Sequence, residues 1–297
     1  MKRFLLLPLF LLSLNSFGQT PKNIQELSQK IDSSFASVSG DFALAFRSLD
    51  YPRKKLLINS HEEFHAASTM KTPVMIEVFK QAEEGKLSLD DSLEVKNSFK
   101  SIVDGSSFSL DIDRDGGEQL YDFLGKKKSL RDLVTDMIIY SSNLATNIVI
   151  QKVDAKKVNA TMHKMGAKDI NVLRGVEDMK AYDAGLSNST TAYDLMIIFE
   201  HLAKGKAVNE KADRQMIDIL LHQKHREIIP ALLPKNVNVA NKTGMITGVH
   251  HDSGIVFLPD GRKYVLVILS KNMEDMEKGT QMMARISKMI YDFMQQS

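Results

Sequence analysis

Ala66-Ala67-Ser68-Thr69-Met70-Lys71-Thr72-Pro73 places a serine hydroxyl and a lysine amine three residues apart. On a helix, positions i and i+3 share a face, so the two groups can meet. Where that face is shielded from water, Lys71 loses its charge, takes the proton of Ser68 and turns the hydroxyl into a nucleophile. Pro73 is tolerated only in the first turn of a helix, so Ser68 is expected at a helix N-terminus. Backbone N–H groups and the positive dipole end there suit an oxyanion. The small side chains of Ala66 and Ala67 leave room for a substrate, and His65 is read as structural. Ser-x-x-Lys alone is weak, since it arises about once by chance in a chain this long. Its weight comes from its surroundings.

The pattern changes at this stretch. Before it, Ile24, Leu27, Ile31 and Phe35 have the spacing of one helix face over 24–35. Residues 41–49 and 54–58 alternate or run apolar like a strand hairpin. After it the chain reads as helical, over 72–83, 130–140, 143–152, 155–165, 191–203 and 210–221. Beyond Pro234, residues 237–242, 254–258 and 264–269 read as strands, with Pro259-Asp260-Gly261 as a turn. A final helix spans 277–295, and its Met282, Met283, Met289 and Met294 are read as packing. The expected fold is α/β in three layers. An antiparallel sheet from both ends of the chain is flanked by terminal helices and carries an inserted all-helical lobe. The sheet part takes residues 19–66 and 230–297, and the helical part takes 67–229. A cleft between them is the expected site.

Of 297 residues, 43% are hydrophobic and 26% charged, the balance of a folded domain with a sizeable core. Residues 1–18 differ. Lys2 and Arg3 precede an apolar run over 4–12, and Ser16-Phe17-Gly18 ends in a small residue, as in a cleavable secretory signal. The run is too short to span a bilayer, so a periplasmic protein without a membrane span is expected. With no Cys, disulfides, thiol catalysis and Cys-based zinc sites are excluded. Without Lys2 and Arg3, 37 basic residues face 37 acidic ones, which gives nucleic acid no hold. Lys126-Lys127-Lys128 is read as a solvated loop. A monomer is expected.

Two further motifs follow in order. Ser141-Ser142-Asn143 lies between two expected helices, with Asn147 four residues on. A serine there can relay a proton to a leaving group, and Asn143 offers a substrate amide both donor and acceptor. Lys242-Thr243-Gly244 ends an expected strand. Lys242 and Thr243 could bind a substrate carboxylate. Gly244 allows close backbone approach, and the N–H of Met245 could complete an oxyanion hole with that of Ser68.

Ser-x-x-Lys, Ser-Asp-Asn and Lys-Thr-Gly together form the signature of class A β-lactamases and penicillin-binding proteins. From about residue 24 to 293 the chain resembles that family, with Ser142 in place of Asp. The resemblance implies Ser68 as acylated nucleophile, Lys71 as base and Ser141 as proton relay. Asn143, Lys242 and Thr243 become substrate contacts. It also implies a deacylating Glu on a loop before Ser189-Thr190-Thr191, for which Glu177 in Arg174-Gly175-Val176-Glu177-Asp178 is the candidate. The family places an Arg two residues before that Glu and an Asn four after. Here Arg174 is three before and Ala181 four after.

The expected activity is hydrolysis of a β-lactam through a Ser68 ester. The competing readings are a D-alanyl-D-alanine carboxypeptidase or transpeptidase and a β-lactam-binding sensor that does not turn over. The expected partner is therefore a small β-lactam or a D-Ala-D-Ala-like peptide, with no cofactor and no metal. Residues 111–122 match the opening of a calcium loop at Asp111, Asp113 and Asp115, but Asp122 stands where Glu is needed, so a solvated acidic turn is expected. Adjacent His250 and His251 would point to opposite faces of a strand, which argues against a shared metal.

Overall fold

A computed structural model describes residues 20–296. The expected signal at 1–18 lies outside them. Helix α1 (Ile24–Phe35) leads into the hairpin β1 (Asp41–Ser48) and β2 (Lys55–Ile58). Strand β3 (Phe64–His65) and a 3-10 turn at Ala67–Met70 then deliver the chain to α2 (Lys71–Glu83). Short strands β4 (Ser92–Glu94), β5 (Phe99–Lys100), β6 (Ser107–Phe108) and β7 (Lys127–Ser129) precede helices α3 (Leu130–Ile139), α4 (Asn143–Val153) and α5 (Ala155–Lys164). Helix α6 (Met179–Asp183), strand β8 (Ser189–Thr190), α7 (Ala192–Ala203) and α8 (Glu210–Leu221) complete the middle of the chain. Strands β9 (Asn238–Ile246), β10 (Val249–Phe257) and β11 (Lys263–Lys271) and helix α9 (Met276–Gln295) close it.

The main sheet has the order β2-β1-β11-β10-β9 and is antiparallel throughout. Both ends of the chain therefore meet in one sheet, as the hydrophobic spacing predicts. Side chains alternate across a strand. In β1, Phe42, Leu44 and Phe46 join a core with Leu27 and Ile31 of α1 and Met282, Met283 and Ile286 of α9. Ala43 and Ala45 face the opposite core with Val74, Phe79 and Phe199 of the helical block. Large residues on one face and alanines on the other let the helical block approach closely. Each fully buried Phe or Leu contributes about 1.5–3 kcal/mol. Because both faces are covered, β10 and β11 are buried almost throughout, which is unusual for an antiparallel sheet.

Most elements lie within two residues of their sequence expectation, but β9 runs on to Ile246, so Lys242-Thr243-Gly244 lies within it and not at its end, and β10 begins at Val249 and not at 254. Two further expectations are corrected. Lys126 and Lys127 are exposed as expected, but Lys127 and Lys128 belong to β7, which pairs with β4, and half-buried Lys128 donates to Asp136 at 3.1 Å. The acidic turn is not wholly solvated: Asp111, Asp113 and Asp122 are exposed, but Asp115 is buried. His250 and His251 do face apart, His250 toward Thr280 of α9 and His251 toward the His65 carbonyl. Among the described residues, no helix is long and apolar enough to cross a membrane.

Candidate active site

Strand β9 is the sheet edge nearest the helical block, and the Ala67–Met70 turn covers it. The contact is made at Gly244. A side chain there would place its Cβ 3.0 Å from the Ser68 nitrogen and 3.2 Å from that of Thr69. Gly244 thus allows a close approach that a side chain would crowd, and it sets the backbone of β9 beside the Ser68 N–H. The turn is strained: Ala67 has φ 46°, in the left-handed region. It is held by Thr69 N–H and Oγ1, which both donate to the Ala66 carbonyl. Such strain is retained at positions that surrounding contacts over-determine. Ser68 itself is half-buried.

Lys71 starts α2 and is fully buried. Its Nζ donates to the Ser141 carbonyl at 2.7 Å and to Asn143 Oδ1 at 2.9 Å, and lies 3.2 Å from Ser141 Oγ. Among the described residues no hydrogen bond joins Lys71 to Ser68 Oγ. The expected contact of the pair is replaced by one across the cleft, because the start of α4 offers the amine stronger acceptors. Burial lowers Lys71 to about 7, against the opposing pull of Asp115 and Glu177.

Ser141 sits at φ 59° in the turn between α3 and α4. Its hydroxyl bridges two buried amines, since Lys242 Nζ lies 3.0 Å away on its other side. Burial, then repulsion from Lys71, holds Lys242 well below its ordinary value, while Asp252 opposes this. Asp252 is itself buried and accepts from Asn241 Nδ2 and from the N–H groups of Ile229 and Ser253. Burial raises its carboxyl to about 7. Thr243 is buried beside Lys242, and Met245 is 64% exposed at the rim. Ser142 Oγ accepts from Ala145 N–H and caps α4, the ordinary role of a serine in that position.

Glu177 joins the same group. Its Oε1 accepts from Asn143 Nδ2 at 2.7 Å, while Asn143 Oδ1 takes the Lys71 amine. Asn143 therefore links Lys71 to Glu177 through the two ends of one amide. Burial raises the Glu177 carboxyl above its ordinary value, and the bond from Asn143 opposes that. Neither Arg174 nor Lys180 pairs with Glu177. Arg174 donates to the carbonyls of Leu186 and Gly175, and Lys180 to Asp104.

The loop bearing Glu177 is fastened by side-chain amides. Asn147 accepts from Val176 N–H at 2.6 Å and donates to its carbonyl at 3.0 Å. Asn188 accepts from Leu173 and Arg174 N–H and donates to the Arg174 carbonyl. Asp178 caps α6 and also accepts from Ile102 N–H. Between the loop, α4 and the β5–β6 hairpin lies a cavity of about 400 Å³, lined by Phe99, Phe108, Ile150, Arg174 and Gly175 among others. Hydrogen bonds thus fix the loop on the side of α4. Asn188 escaped sequence reasoning, and Asp115, read there as part of a solvated acidic turn, is instead buried at the start of α4.

All the sequence-predicted catalytic residues converge within this group or its rim. Comparison with known proteins bears on the family and the fold. A model of the beta-lactamase enzyme family matches residues 26–294. A beta-lactamase of Bacteroides uniformis is 25% identical over 254 residues, covering 80% of this chain and 82% of the relative. The extended-spectrum beta-lactamase PER-1 of Pseudomonas aeruginosa is 23% identical over 257 residues, covering 80% and 78%. Among solved structures, a beta-lactamase from Chitinophaga pinensis DSM 2588 is 22% identical, covering 90% of this chain and 98% of its own, at a TM-score of 0.77. PBP-A is 23% identical, covering 94% and 100%, at a TM-score of 0.78. The two structures share the fold, and the family match over nearly the whole described chain carries the assignment: the protein belongs to the beta-lactamase enzyme family.

Proposed function

We propose that the protein is a serine β-lactamase of the class A type, opening the lactam amide through an ester on Ser68. One observation carries this reading. The Ser141 hydroxyl lies between two buried lysine amines, at 3.2 Å from Lys71 and 3.0 Å from Lys242, and the Lys71 group extends through Asn143 to Glu177. Buried amines this close cannot both hold a proton cheaply. Lys71, lowered to about 7, is available as a base near neutral pH. In the reacting complex its amine, on the helix start one turn from Ser68, turns from the Ser141 carbonyl to take the Ser68 proton as Oγ forms a bond to the lactam carbonyl carbon. The carbonyl oxygen becomes an oxyanion, stabilised by the N–H groups of Ser68 and Met245. As the C–N bond breaks, the lactam nitrogen receives a proton from Ser141, which Lys71 replenishes. Lys242 and Thr243 bind the substrate carboxylate, and Asn143 its side-chain amide.

Release needs a second base. Glu177 takes a proton from water, the hydroxide attacks the ester carbon, and the Ser68 alkoxide recovers its proton from the cluster as the ring-opened acid leaves. The link from Glu177 to Asn143 supports this role, because it keeps the carboxylate on the acylation group. The expected working unit is residues 19–297, with a sheet part at 19–66 and 230–297 and a helical part at 67–229. It is exported by the signal at 1–18 to the periplasm and acts as a monomer on a small-molecule substrate. The similar beta-lactamases of Bacteroides uniformis and Pseudomonas aeruginosa support an enzyme of this kind.

A second reading, a D-alanyl-D-alanine peptidase, draws support from Ser142, which supplies no carboxylate to the second motif, and from the likeness to PBP-A. Steady-state hydrolysis separates the two. The lactamase reading expects many equivalents of a penicillin to be consumed per enzyme, with no release of D-alanine from a D-Ala-D-Ala peptide. Stoichiometric consumption with D-alanine release sinks it in favour of the peptidase, and stoichiometric consumption alone favours the sensor.

A further inference from the structure

Asp115 sits 26 residues before Ser141 and belongs to none of the three motifs. It is 8% exposed. Its Oδ1 accepts from Gly117 N–H and from Asn143 N–H, each at 2.8 Å, and its Oδ2 accepts from Leu144 N–H at 2.7 Å and from Tyr121 Oη at 3.2 Å. Two of these donors are the otherwise unpaired N–H groups of the first turn of α4, where a negative charge is also favoured by the helix dipole. The backbone after Asp115 is fitted to the same place. A Cβ on Gly116 would fall 2.4 Å from the Tyr140 carbonyl oxygen, and one on Gly117 would fall 2.3 Å from Ser142 Cβ. Asp115-Gly116-Gly117 is thus pressed against the turn that carries Ser141, whose own φ of 59° needs external support.

Ser142 stands where the family signature has Asp. Its hydroxyl is spent on capping Ala145 N–H. A carboxylate reaches the same helix start from the other side, out of the 111–117 loop. We propose that Asp115 is the positioning residue of the acylation site: its carboxylate fastens the start of α4 and so keeps Ser141 and Asn143 on Lys71. This deepens the serine-acylation reading and rests on it for the catalytic consequence. The charged groups facing Lys71 are Asp115 from this loop, Glu177 from the 174–178 loop and Lys242 from β9. Asp115 and Glu177 favour the protonated amine, and Lys242 opposes it when charged.

Two readouts on the mature chain test this in D115N, D115A and D115E. The first is the rate of penicillin adduct formation in a single turnover. The second is the titration of Lys71 followed by NMR on ¹³C-labelled lysine, which needs no acylation. D115N keeps the size of the side chain but turns a donor toward one pair of N–H and O–H groups. It should slow acylation about 10-fold, and D115A about 100-fold, the scale of a 1 Å misplacement. In both, the Lys71 titration should move down by about 0.5–1 pH unit, since a favourable negative charge is lost. D115E keeps the charge and shifts it by one methylene, so acylation falls while the titration moves less than in D115N. Folded D115N with an acylation rate within about twofold of wild type and an unmoved Lys71 titration would overturn the proposal; a lowered melting temperature alone would leave Asp115 merely structural. If wild-type protein forms no adduct, the acylation reading fails, and the Lys71 titration still decides whether Asp115 governs the cluster.

Discussion

Gly175→Ala tests whether the Glu177 loop is needed for release but not for attack. Gly175 has no unusual φ, so only its surroundings oppose a side chain. A Cβ there would fall 2.1 Å from Asn147 Oδ1 and 2.8 Å from its Cγ, against an ordinary contact of 3.4 Å or more. One of the two must move by roughly 1 Å. Asn147 is 2% exposed on α4 and cannot turn aside without giving up its bonds to Val176 N–H and carbonyl. Those bonds contribute about 1 kcal/mol each, and the overpacking costs about 1–3 kcal/mol more. The loop is the softer partner, since Gly175, Val176 and Glu177 are only half-buried while Asn147 is buried within α4. Glu177 is two residues from Gly175, so it moves too. A 1 Å displacement of a catalytic group costs about 10²-fold. Deacylation should therefore fall about 100-fold, with acylation changed by less than about threefold. The assay is a burst experiment with a chromogenic cephalosporin, together with intact-mass analysis of the trapped ester. Unchanged deacylation in folded G175A, or equal losses in both steps, would refute the idea that this loop serves release.

Three further outcomes are expected. Glu177→Gln keeps an oxygen for Asn143 Nδ2 but removes the proposed base, so the ester should accumulate with deacylation down about 10²–10⁴-fold; rapid turnover in E177Q removes Glu177 from the mechanism. If Lys71, lowered by burial to about 7, is the base of the proposed acylation, kcat/KM should rise with pH through about 7 and fall below it. A profile flat from pH 5 to 9 would show that a different group takes the proton. Gly244→Ala, with its Cβ 3.0 Å from the Ser68 nitrogen, should push β9 from the Ser68 turn, slow acylation about 10-fold and cost about 1–3 kcal/mol in unfolding free energy; wild-type acylation in that variant would show that the Ser68 N–H is not used.

The fold was largely readable because its signals are local. The spacing of Ile24, Leu27 and Ile31, and the apolar runs at the end of β10 and in β11, report burial directly, whereas the buried polar stretch from His250 to Ser253 gave no strand signal. The motif residues were readable because Ser68, Lys71, Ser141, Asn143 and Lys242 keep fixed spacings on helix starts and a strand. Asp115 was not, since its four hydrogen bonds depend on a loop folding back onto α4, which no periodicity records. The same holds for Asn147 and Asn188, whose amides fasten the Glu177 loop from two separate segments. The direction of the Lys71 side chain was also hidden. Spacing placed it beside Ser68, but tertiary contacts turned it to Ser141 and Asn143. The lysine run misled at Lys128 because charge suggested solvent, whereas a strand pairing and Asp136 claimed it.

The central claim is that Ser68 is the atom that attacks. Its most direct test is peptide mapping by mass spectrometry after rapid acid quench of wild-type protein with a penicillin. The account predicts one added penicillin mass on the peptide carrying Ser68, and none on folded Ser68→Ala under the same conditions. An adduct on another residue, or none from several lactams on folded wild-type protein, would contradict it.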